Sequence, residues 1–173
     1  MSFTLWLTGL SGAGKSTLAR AVRDELLGRR RGVEILDGDD MRATLSKGLG
    51  FSKEDRDTNV RRIGLVARLL SRNSVVAIVA AISPYRAARD EVRGTHETPF
   101  VEVFVDCRLE ELIRRDPKGL YAKAQRGEVD HVSGISDPYE PPLCPDIHVR
   151  TDTQTIDESR ATIISGLEHR QLL

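Results

Sequence analysis

The stretch Thr8–Thr17, TGLSGAGKST, follows directly on the apolar run Phe3–Leu7, FTLWL, and decides the fold. Four of its residues form the pattern G-x-x-x-x-G-K-S, namely Gly9, Gly14, Lys15 and Ser16. In such a turn successive backbone N–H groups point at phosphate oxygens, and the N-terminus of the next helix adds its dipole. The stretch therefore predicts a loop that binds nucleotide phosphates between a strand and a helix.

The residues predicted to contact the nucleotide are consecutive: Gly9, Leu10, Ser11, Gly12, Ala13, Gly14, Lys15, Ser16 and Thr17. Lys15 is expected to neutralise the β- and γ-phosphates of ATP, and the Ser16 hydroxyl to ligate Mg²⁺. Thr17 is expected to contact the α-phosphate. The loop follows a strand pattern and opens an amphipathic helix pattern, which favours a phosphate loop over a mere glycine-rich turn.

The composition is that of an ordinary globular chain of 173 residues. Lys plus Arg equals Asp plus Glu at 26 each, whereas a dedicated nucleic-acid binder normally carries a basic excess. The longest apolar run, Val75–Ile82, is too short to span a bilayer, and the N-terminus lacks the features of a signal peptide. We expect a cytoplasmic protein without a nucleic-acid or membrane partner.

Strand patterns alternate with helix patterns along the chain. The strand patterns are Phe3–Thr8, Val33–Asp37, Val75–Ile82, Phe100–Cys107 and Ile147–Thr151. The helix patterns are Lys15–Leu27, a segment opening at Ser52 and a segment opening at Thr155, the last two with capping-box-like starts. This order predicts a P-loop NTPase-type three-layer α/β/α fold, with a mainly parallel five-stranded sheet, in one domain spanning 1–173.

One segment does not fit the alternation, and we call Asp116–Pro145 the lid segment. It contains five prolines and three glycines, so its helical content should be limited to about one turn around Tyr121–Gln125. A loop this long in a compact domain is usually a functional lid or is disordered. Its mixture of apolar, aromatic and charged residues favours a lid.

The motifs favour a kinase over other nucleotide-binding proteins. The chain has neither a D-x-x-G after a strand nor the N-K-x-D of Ras-type GTPases. One phosphate loop and one long lid are typical of a small-molecule kinase, whose lid excludes water from the reaction. Two alternatives stay open: a kinase of another nucleotide or sugar hydroxyl, and a non-catalytic regulatory subunit. The intact Lys15, Ser16, Asp37 and Asp39 speak against the second.

The acceptor site is expected at the carboxyl ends of the strands. There the segment DGDDMR offers Asp37 and Asp39, either of which can hold Mg²⁺ through water or accept a hydroxyl proton. A surface turn rich in Asp and Gly is the plainer interpretation of that segment. Five cations are expected to approach one crevice: Arg42, Arg56, Arg86, Arg115 and Lys118. Such a cluster in a neutral protein indicates a small substrate with several negative charges.

Several longer segments together resemble one family. GLSGAGKST, LDGDDMR, LGFSKEDRDTNVRRIG, ISPYRAARDEVR, RDPKGLYAKAQRGE and GISDPYEPP follow one another in the order and spacing of adenylylsulfate kinases, from about Leu5 to about Pro145. The resemblance implies transfer of the ATP γ-phosphate to the 3′-hydroxyl of adenosine 5′-phosphosulfate. It also implies dependence on Mg²⁺ and a homodimer. Whether an ATP sulfurylase is a partner stays open, and any such partner is expected to be a separate chain.

The resemblance assigns roles to individual residues. Lys15, Asp37, Asp39 and Ser83 are implied at the catalytic centre, with Asp39 near the acceptor ribose and Asp37, with Ser16, toward the metal; the reverse assignment of the two aspartates stays open. Ser83 matches a serine that the family's descriptions assign as a phosphoserine intermediate, although direct in-line transfer does not require one. The implied acceptor-binding residues are Asp37, Asp39, Arg42, Phe51, Arg56, Asn59, Ile82, Ser83, Lys118 and Val132.

The sequence departs from the family pattern at a few positions. The family usually has F-I-S-P where this chain has Ala81–Pro84, and F-T-G-I-D where it has Val132–Ser136. In the family an aromatic residue at the position of Val132 helps to sandwich the acceptor adenine against the counterpart of Phe51. Base–aromatic stacking contributes roughly 1–3 kcal/mol, so we expect weaker acceptor binding and an unchanged reaction.

Overall fold

The computed structural model describes all 173 residues and contains one five-stranded sheet. Its strands are β1 (Thr4–Thr8), β2 (Val33–Asp37), β3 (Val76–Ala80), β4 (Phe100–Asp106) and β5 (Ile147–Arg150). They lie in the order β2-β3-β1-β4-β5, and every neighbouring pair is parallel. The predicted parallel five-stranded sheet is confirmed.

Seven helices connect and cover the strands. They are α1 (Lys15–Gly28), α2 (Gly38–Ala43), α3 (Lys53–Arg72), α4 (Arg86–Gly94), α5 (Leu109–Arg115), α6 (Leu120–Gln125) and α7 (Ile156–His169). None of them combines the length and the apolar character that a membrane-spanning helix needs.

The central strand β1 explains the layered arrangement. All five of its residues are buried, as expected of a parallel strand covered on both faces. Leu5 and Leu7 belong to the larger core, which α1 and α7 cover, whereas Trp6 belongs to a second core with Ile63 of α3. Alternate side chains of one strand thus enter opposite layers, and the three-layer α/β/α fold is confirmed.

Local capping fixes the starts of the long helices. The Ser52 hydroxyl accepts from the Asp55 amide at 3.1 Å, and Thr155 and Glu158 form a reciprocal capping box, both as the sequence patterns indicate. The short helix α2 was not indicated by the sequence. It forms because the Asp37 carboxylate accepts from the Asp39 amide at 3.0 Å and caps the turn.

The lid segment crosses the carboxyl edge of the sheet. Its helical part is α6, Leu120–Gln125, which agrees with the single turn predicted there. Tyr121 of α6 is buried, and its hydroxyl donates to the Ser11 carbonyl of the phosphate loop at 2.7 Å. Gly134 adopts a φ of +87°, and a Cβ there would lie 2.9 Å from a methyl group of Leu10, so glycine allows the lid segment to pack on the loop.

Candidate active site

A cavity of about 600 Å³ lies at the carboxyl edge of the sheet, and we call it the main cleft. Its walls come from the phosphate loop, the start of α2, the first turns of α3, the end of β3 and the lid segment. These segments are far apart in sequence, and the parallel sheet brings them to one edge. The main cleft therefore lies where the sequence places the reaction.

The phosphate loop is shaped as an anion site. Gly14 caps α1 with a φ of 99°, a left-handed conformation that glycine adopts without strain. Ser11, Gly12, Gly14, Lys15, Ser16 and Thr17 line the main cleft. Three predicted loop residues do not line it, because Ala13 is buried in the core, Gly9 packs on the Val105 carbonyl and Leu10 packs beneath Gly134.

Lys15 is enclosed by protein. Its side chain is buried, and Nζ donates to the Leu10 carbonyl at 2.8 Å. Burial, followed by repulsion from Lys118, lowers the pKa of Lys15 to about 8, although Asp39 and Asp37 act in the opposite direction. Burial disfavours the protonated form of Lys15, and a phosphate bound beside it would favour that form.

The two aspartates of DGDDMR face different partners. The Ser16 hydroxyl donates to Asp37 Oδ2 at 2.5 Å, so the Asp37 carboxylate lies against the phosphate loop. Asp39 points instead toward the lid segment, where Lys118 Nζ pairs with it, and its side chain is 72 % exposed. Asp37 is therefore engaged by neighbouring protein groups, while Asp39 stays accessible to a molecule in the main cleft.

Oxygen atoms suited to a hard cation lie between the loop and β2. The Ser16 hydroxyl and the Asp37 carboxylate are adjacent, and Mg²⁺ prefers such ligands, which it commonly takes from one or two protein groups and from substrate phosphates. No group of three or more His, Cys, Asp or Glu side chains is arranged to hold a metal by itself. The residues present fit a cation that completes its coordination with phosphate oxygens and water.

Arg56 joins the start of α3 to the lid segment. Its Nε donates to the Phe51 carbonyl at 2.8 Å and Nη1 to Ser133 Oγ at 2.9 Å. Its Nη2 donates to Asp137 at 3.0 Å and to the His131 carbonyl. Of the five N–H donors of the guanidinium, one on Nη1 is left for a ligand in the main cleft.

Three further predicted acceptor residues line the same wall. The Arg42 guanidinium lies 4.6 Å from the centre of the Phe51 ring, and burial lowers the pKa of Arg42. Asn59 is buried and lines the main cleft as well.

Ile82, Ser83 and Val132 also line the main cleft. The Ser83 side chain faces the protein interior, where Oγ accepts from Trp6 Nε1 at 3.0 Å and donates to Thr8 Oγ1 at 3.1 Å. Val132 is buried at the lid wall and belongs to the larger core. Phe51 is half exposed across the main cleft from the lid segment.

The expectation that five cations share one crevice was wrong for two of them. Arg42, Arg56 and Lys118 line the main cleft, but Arg86 lies outside it and pairs with Glu140 at 3.6 Å. Arg115 donates to the Thr151 carbonyl at 2.6 Å. Arg86 is the first residue of α4 and Arg115 the last residue of α5, and neither side chain lines the main cleft.

Arg115 instead lines a second cavity of about 370 Å³. Gly12, Gly14 and Thr17 of the phosphate loop line both cavities, so the two adjoin through the loop. The other walls come from Thr151, Gln154 and the start of α7. Sequence reasoning missed this cavity, because those residues follow the lid segment and form no motif with the loop.

The family model described as adenylylsulphate kinase matches residues 1–150. The chain belongs to this family. An adenylyl-sulfate kinase of Rippkaea orientalis is 58 % identical over 165 residues, which cover 95 % of this chain and 91 % of that relative. The predicted family and activity are thereby confirmed: the protein is an adenylylsulfate kinase, an ATP-dependent phosphotransferase.

Solved structures agree with that membership. The Mycobacterium tuberculosis APS kinase in complex with AMPPNP and APS superposes with a TM-score of 0.92 at 44 % identity, covering 96 % of this chain and 98 % of that one. A hexameric APS kinase from Thiobacillus denitrificans gives a TM-score of 0.77 at 41 % identity, covering all of this chain and 30 % of that one. The roles of individual residues in this adenylylsulfate kinase stay predictions.

The lowered pKa of Lys15 predicts a pH dependence of ATP binding. Bound phosphates favour the protonated lysine, so binding takes up a proton when the free enzyme's Lys15 is neutral. The dissociation constant should be constant below pH 8 and should rise toward tenfold per pH unit above it. Calorimetry between about pH 7.5 and 9.5, where the terminal phosphate is already ionised, measures both the constant and the proton uptake.

Two variants test the assignment to Lys15. In Lys15→Arg the guanidinium does not titrate in this range, so the pH dependence should disappear whatever the affinity. Lys118→Arg keeps a cation beside Asp39 and should retain the dependence. A wild-type dissociation constant that stays flat through pH 9.5 would contradict the prediction.

Proposed function

We propose that this adenylylsulfate kinase transfers the γ-phosphate of Mg·ATP directly to the 3′-hydroxyl of adenosine 5′-phosphosulfate, giving 3′-phosphoadenosine 5′-phosphosulfate and ADP. The observation that carries the proposal is one cavity in which the phosphate loop, Asp37, Asp39 and the cationic side chains of Arg42, Arg56 and Lys118 converge. The relative that was solved with AMPPNP and APS supports the same pair of substrates.

The charge of the main cleft favours a phosphosulfate over a neutral acceptor. Arg42, Arg56 and Lys118 all line it, and within the protein Lys118 pairs with Asp39 and Arg56 with Asp137. A phosphosulfate offers several anionic oxygens to these cations, whereas a neutral sugar offers none. The alternative acceptor, another nucleotide or sugar hydroxyl, has no comparable support in the site.

On the nucleotide side, we place ATP across the two cavities, which share residues of the phosphate loop. The γ- and β-phosphates lie beside Lys15, and the α-phosphate beside Thr17, which lines both cavities. The adenine then enters the second cavity, where the planar Arg115 guanidinium offers a stacking surface. Ser16 and Asp37 would hold Mg²⁺, which neutralises charge on the transferring phosphoryl group.

We call the part of the main cleft that would bind adenosine 5′-phosphosulfate the acceptor half. There, Asp39 is the proposed proton acceptor and Asp37 the proposed metal-side residue. Asp37 is already bound by the Ser16 hydroxyl and by the Asp39 amide, so its oxygens are directed away from the acceptor. Asp39 is exposed to the main cleft and reaches the 3′-hydroxyl once Lys118 turns to the phosphosulfate. This favours the first of the two assignments that the sequence left open.

Ser83 is proposed to act by position and not as a phosphorylated intermediate. A nucleophile needs a hydroxyl that is accessible to the phosphoryl group. The Ser83 hydroxyl is buried and held between Trp6 and Thr8. Direct in-line transfer needs only the positioned substrates and cation.

The proposal treats residues 1–173 as one P-loop kinase domain, with the lid at about 116–145. It includes a homodimer, which rests on the family resemblance, and an ATP sulfurylase as the enzyme that supplies the acceptor. A related chain forms a hexamer, so self-association is an established property of at least one relative. The cytoplasmic location stays a prediction.

ADP release from Mg·ATP tests the proposed reaction. Adenosine 5′-phosphosulfate at micromolar concentration should stimulate release, and AMP, which lacks the sulfate, should not. Mass spectrometry should find one phosphate added at the 3′ position of the acceptor. Equal ADP release with either acceptor, or with none, would contradict the proposal.

Val132→Phe tests the acceptor adenine site. An aromatic ring facing Phe51 adds stacking of roughly 1–3 kcal/mol, so KM for adenosine 5′-phosphosulfate should fall about 5- to 150-fold. KM for ATP should stay within about twofold, because the changed residue is on the acceptor side. Steady-state kinetics with each substrate varied in turn measures both constants.

Two matched variants separate stacking from added volume. Val132→Leu enlarges the side chain without a ring and should leave KM for the acceptor near the wild-type value. In a Phe51→Ala background the benefit of Val132→Phe should largely vanish, because one side of the sandwich is missing. An equal gain in both backgrounds would show that stacking against Phe51 is not its source.

A further inference from the structure

Arg89 of α4 is buried outside the main cleft and is not one of the predicted site residues. It is 2 % exposed and does not line the cavity. Its Nε donates to Glu102 Oε1 at 2.8 Å, Nη1 to the Ser83 carbonyl at 2.6 Å and Nη2 to the Glu140 carbonyl at 2.8 Å. One guanidinium thus joins β4, the segment after β3 and the lid segment.

The segment after β3 needs such support, and we call Ile82–Pro84 the acceptor wall because all three residues line the main cleft. Ser83 has a φ of 42°, in the left-handed region that non-glycine residues seldom adopt. A strained conformation of this kind persists only where the surrounding contacts hold it in place. Here the Ser83 carbonyl is held by Arg89, and its hydroxyl by Trp6 and Thr8.

The carboxyl end of the lid segment is joined to the same wall, and we call Tyr139–Glu140 the lid base. The Glu140 amide donates to the Pro84 carbonyl at 2.8 Å, while Arg89 binds the Glu140 carbonyl. The Tyr139 hydroxyl lies 3.0 Å from Thr8 Oγ1, which in turn donates to the Ile82 carbonyl at 2.7 Å. Wall and lid base therefore share one buried hydrogen-bond network.

The buried ion pair of Arg89 and Glu102 is better suited to orienting its neighbours than to stabilising the fold. A buried ion pair contributes little net stability, because desolvation offsets the attraction between the charges. The planar fork of an arginine, however, donates in fixed diverging directions, which a lysine does not reproduce. Glu102 occupies Nε and leaves Nη1 and Nη2 directed at the two backbone carbonyls.

We propose that Arg89 is a positioning residue that fixes the acceptor wall against the lid base, so that the acceptor half of the main cleft keeps its shape. Removing the Arg89 side chain should weaken binding of the acceptor and leave binding of ATP unchanged. The reason is that the phosphate loop makes no hydrogen bond to this network beyond Thr8 at its start. The inference rests on the proposed function, since it takes adenosine 5′-phosphosulfate to be the molecule that the acceptor half binds.

Arg89→Lys is the test variant, because it keeps a cation beside Glu102 but lacks the fork. KM for adenosine 5′-phosphosulfate should rise about tenfold or more, while KM for ATP should change by no more than about twofold. Should Arg89→Lys fail to fold, the double variant Arg89→Met with Glu102→Met removes the buried charges as a pair and carries the same expectation.

Arg93→Lys is the matched control on the same helix. Arg93 pairs with Asp146 at 2.7 Å and with Glu102, and it contacts neither the acceptor wall nor the lid base. The Arg93→Lys variant should leave both KM values unchanged, even if its melting temperature falls. Glu102→Gln keeps an acceptor for Nε and should likewise leave the acceptor KM near its wild-type value.

A Ser83→Gly background tests whether Arg89 acts through the strained residue. Glycine adopts a φ of 42° without strain, so the effect of Arg89→Lys on the acceptor KM should be smaller there than in the wild-type background. An equal rise of both KM values in Arg89→Lys, or a lower melting temperature with an unchanged acceptor KM, would overturn the inference. Wild-type enzyme that fails to use adenosine 5′-phosphosulfate would overturn the proposed function instead.

Discussion

The hydrogen bond from the Ser16 hydroxyl to Asp37 sets the geometry of the main cleft. Ser16 lies in the first turn of α1, which follows β1, and Asp37 ends β2, although β3 lies between these two strands in the sheet. The 2.5 Å contact therefore crosses the carboxyl end of β3. It joins the phosphate loop to the segment after β2, and both line one cavity.

The lid segment is held by two buried arginines from neighbouring helices. Arg56 of α3 binds its middle part at His131, Ser133 and Asp137. Arg89 of α4 binds its base at Glu140. Both donate mainly to backbone or short side-chain oxygens, which fix orientation more than they add stability. In a chain of zero net charge, these buried guanidinium groups thus shape the cleft, while Arg42 and Lys118 add positive charge to its lining.

Most of the fold could be predicted from short sequence patterns. The phosphate loop, the apolar strands and the caps at Ser52 and Thr155 each depend on residues within a few positions of one another. A stretch such as Val76–Ala80 can be recognised as a buried strand because its own composition requires burial on both faces. The resemblance added the names of the acceptor residues, which the structure gathers in one cavity.

The parts that the sequence did not indicate depend on distant contacts. Nothing near Arg89 in the chain shows that its partners are Ser83, Glu102 and Glu140. Arg86 and Arg115 carry the same charge as Arg42, and only their contacts with Glu140 and Thr151 show that they lie outside the main cleft.

A crystal structure of the protein with Mg²⁺, a non-hydrolysable ATP analogue and adenosine 5′-phosphosulfate tests the central claim most directly. The account predicts the acceptor 3′-hydroxyl within about 3.2 Å of an Asp39 oxygen, the metal beside Ser16 and Asp37, and the phosphosulfate between Arg42 and Lys118. An acceptor hydroxyl on Asp37, or a phosphosulfate bound away from Arg42 and Lys118, would contradict it.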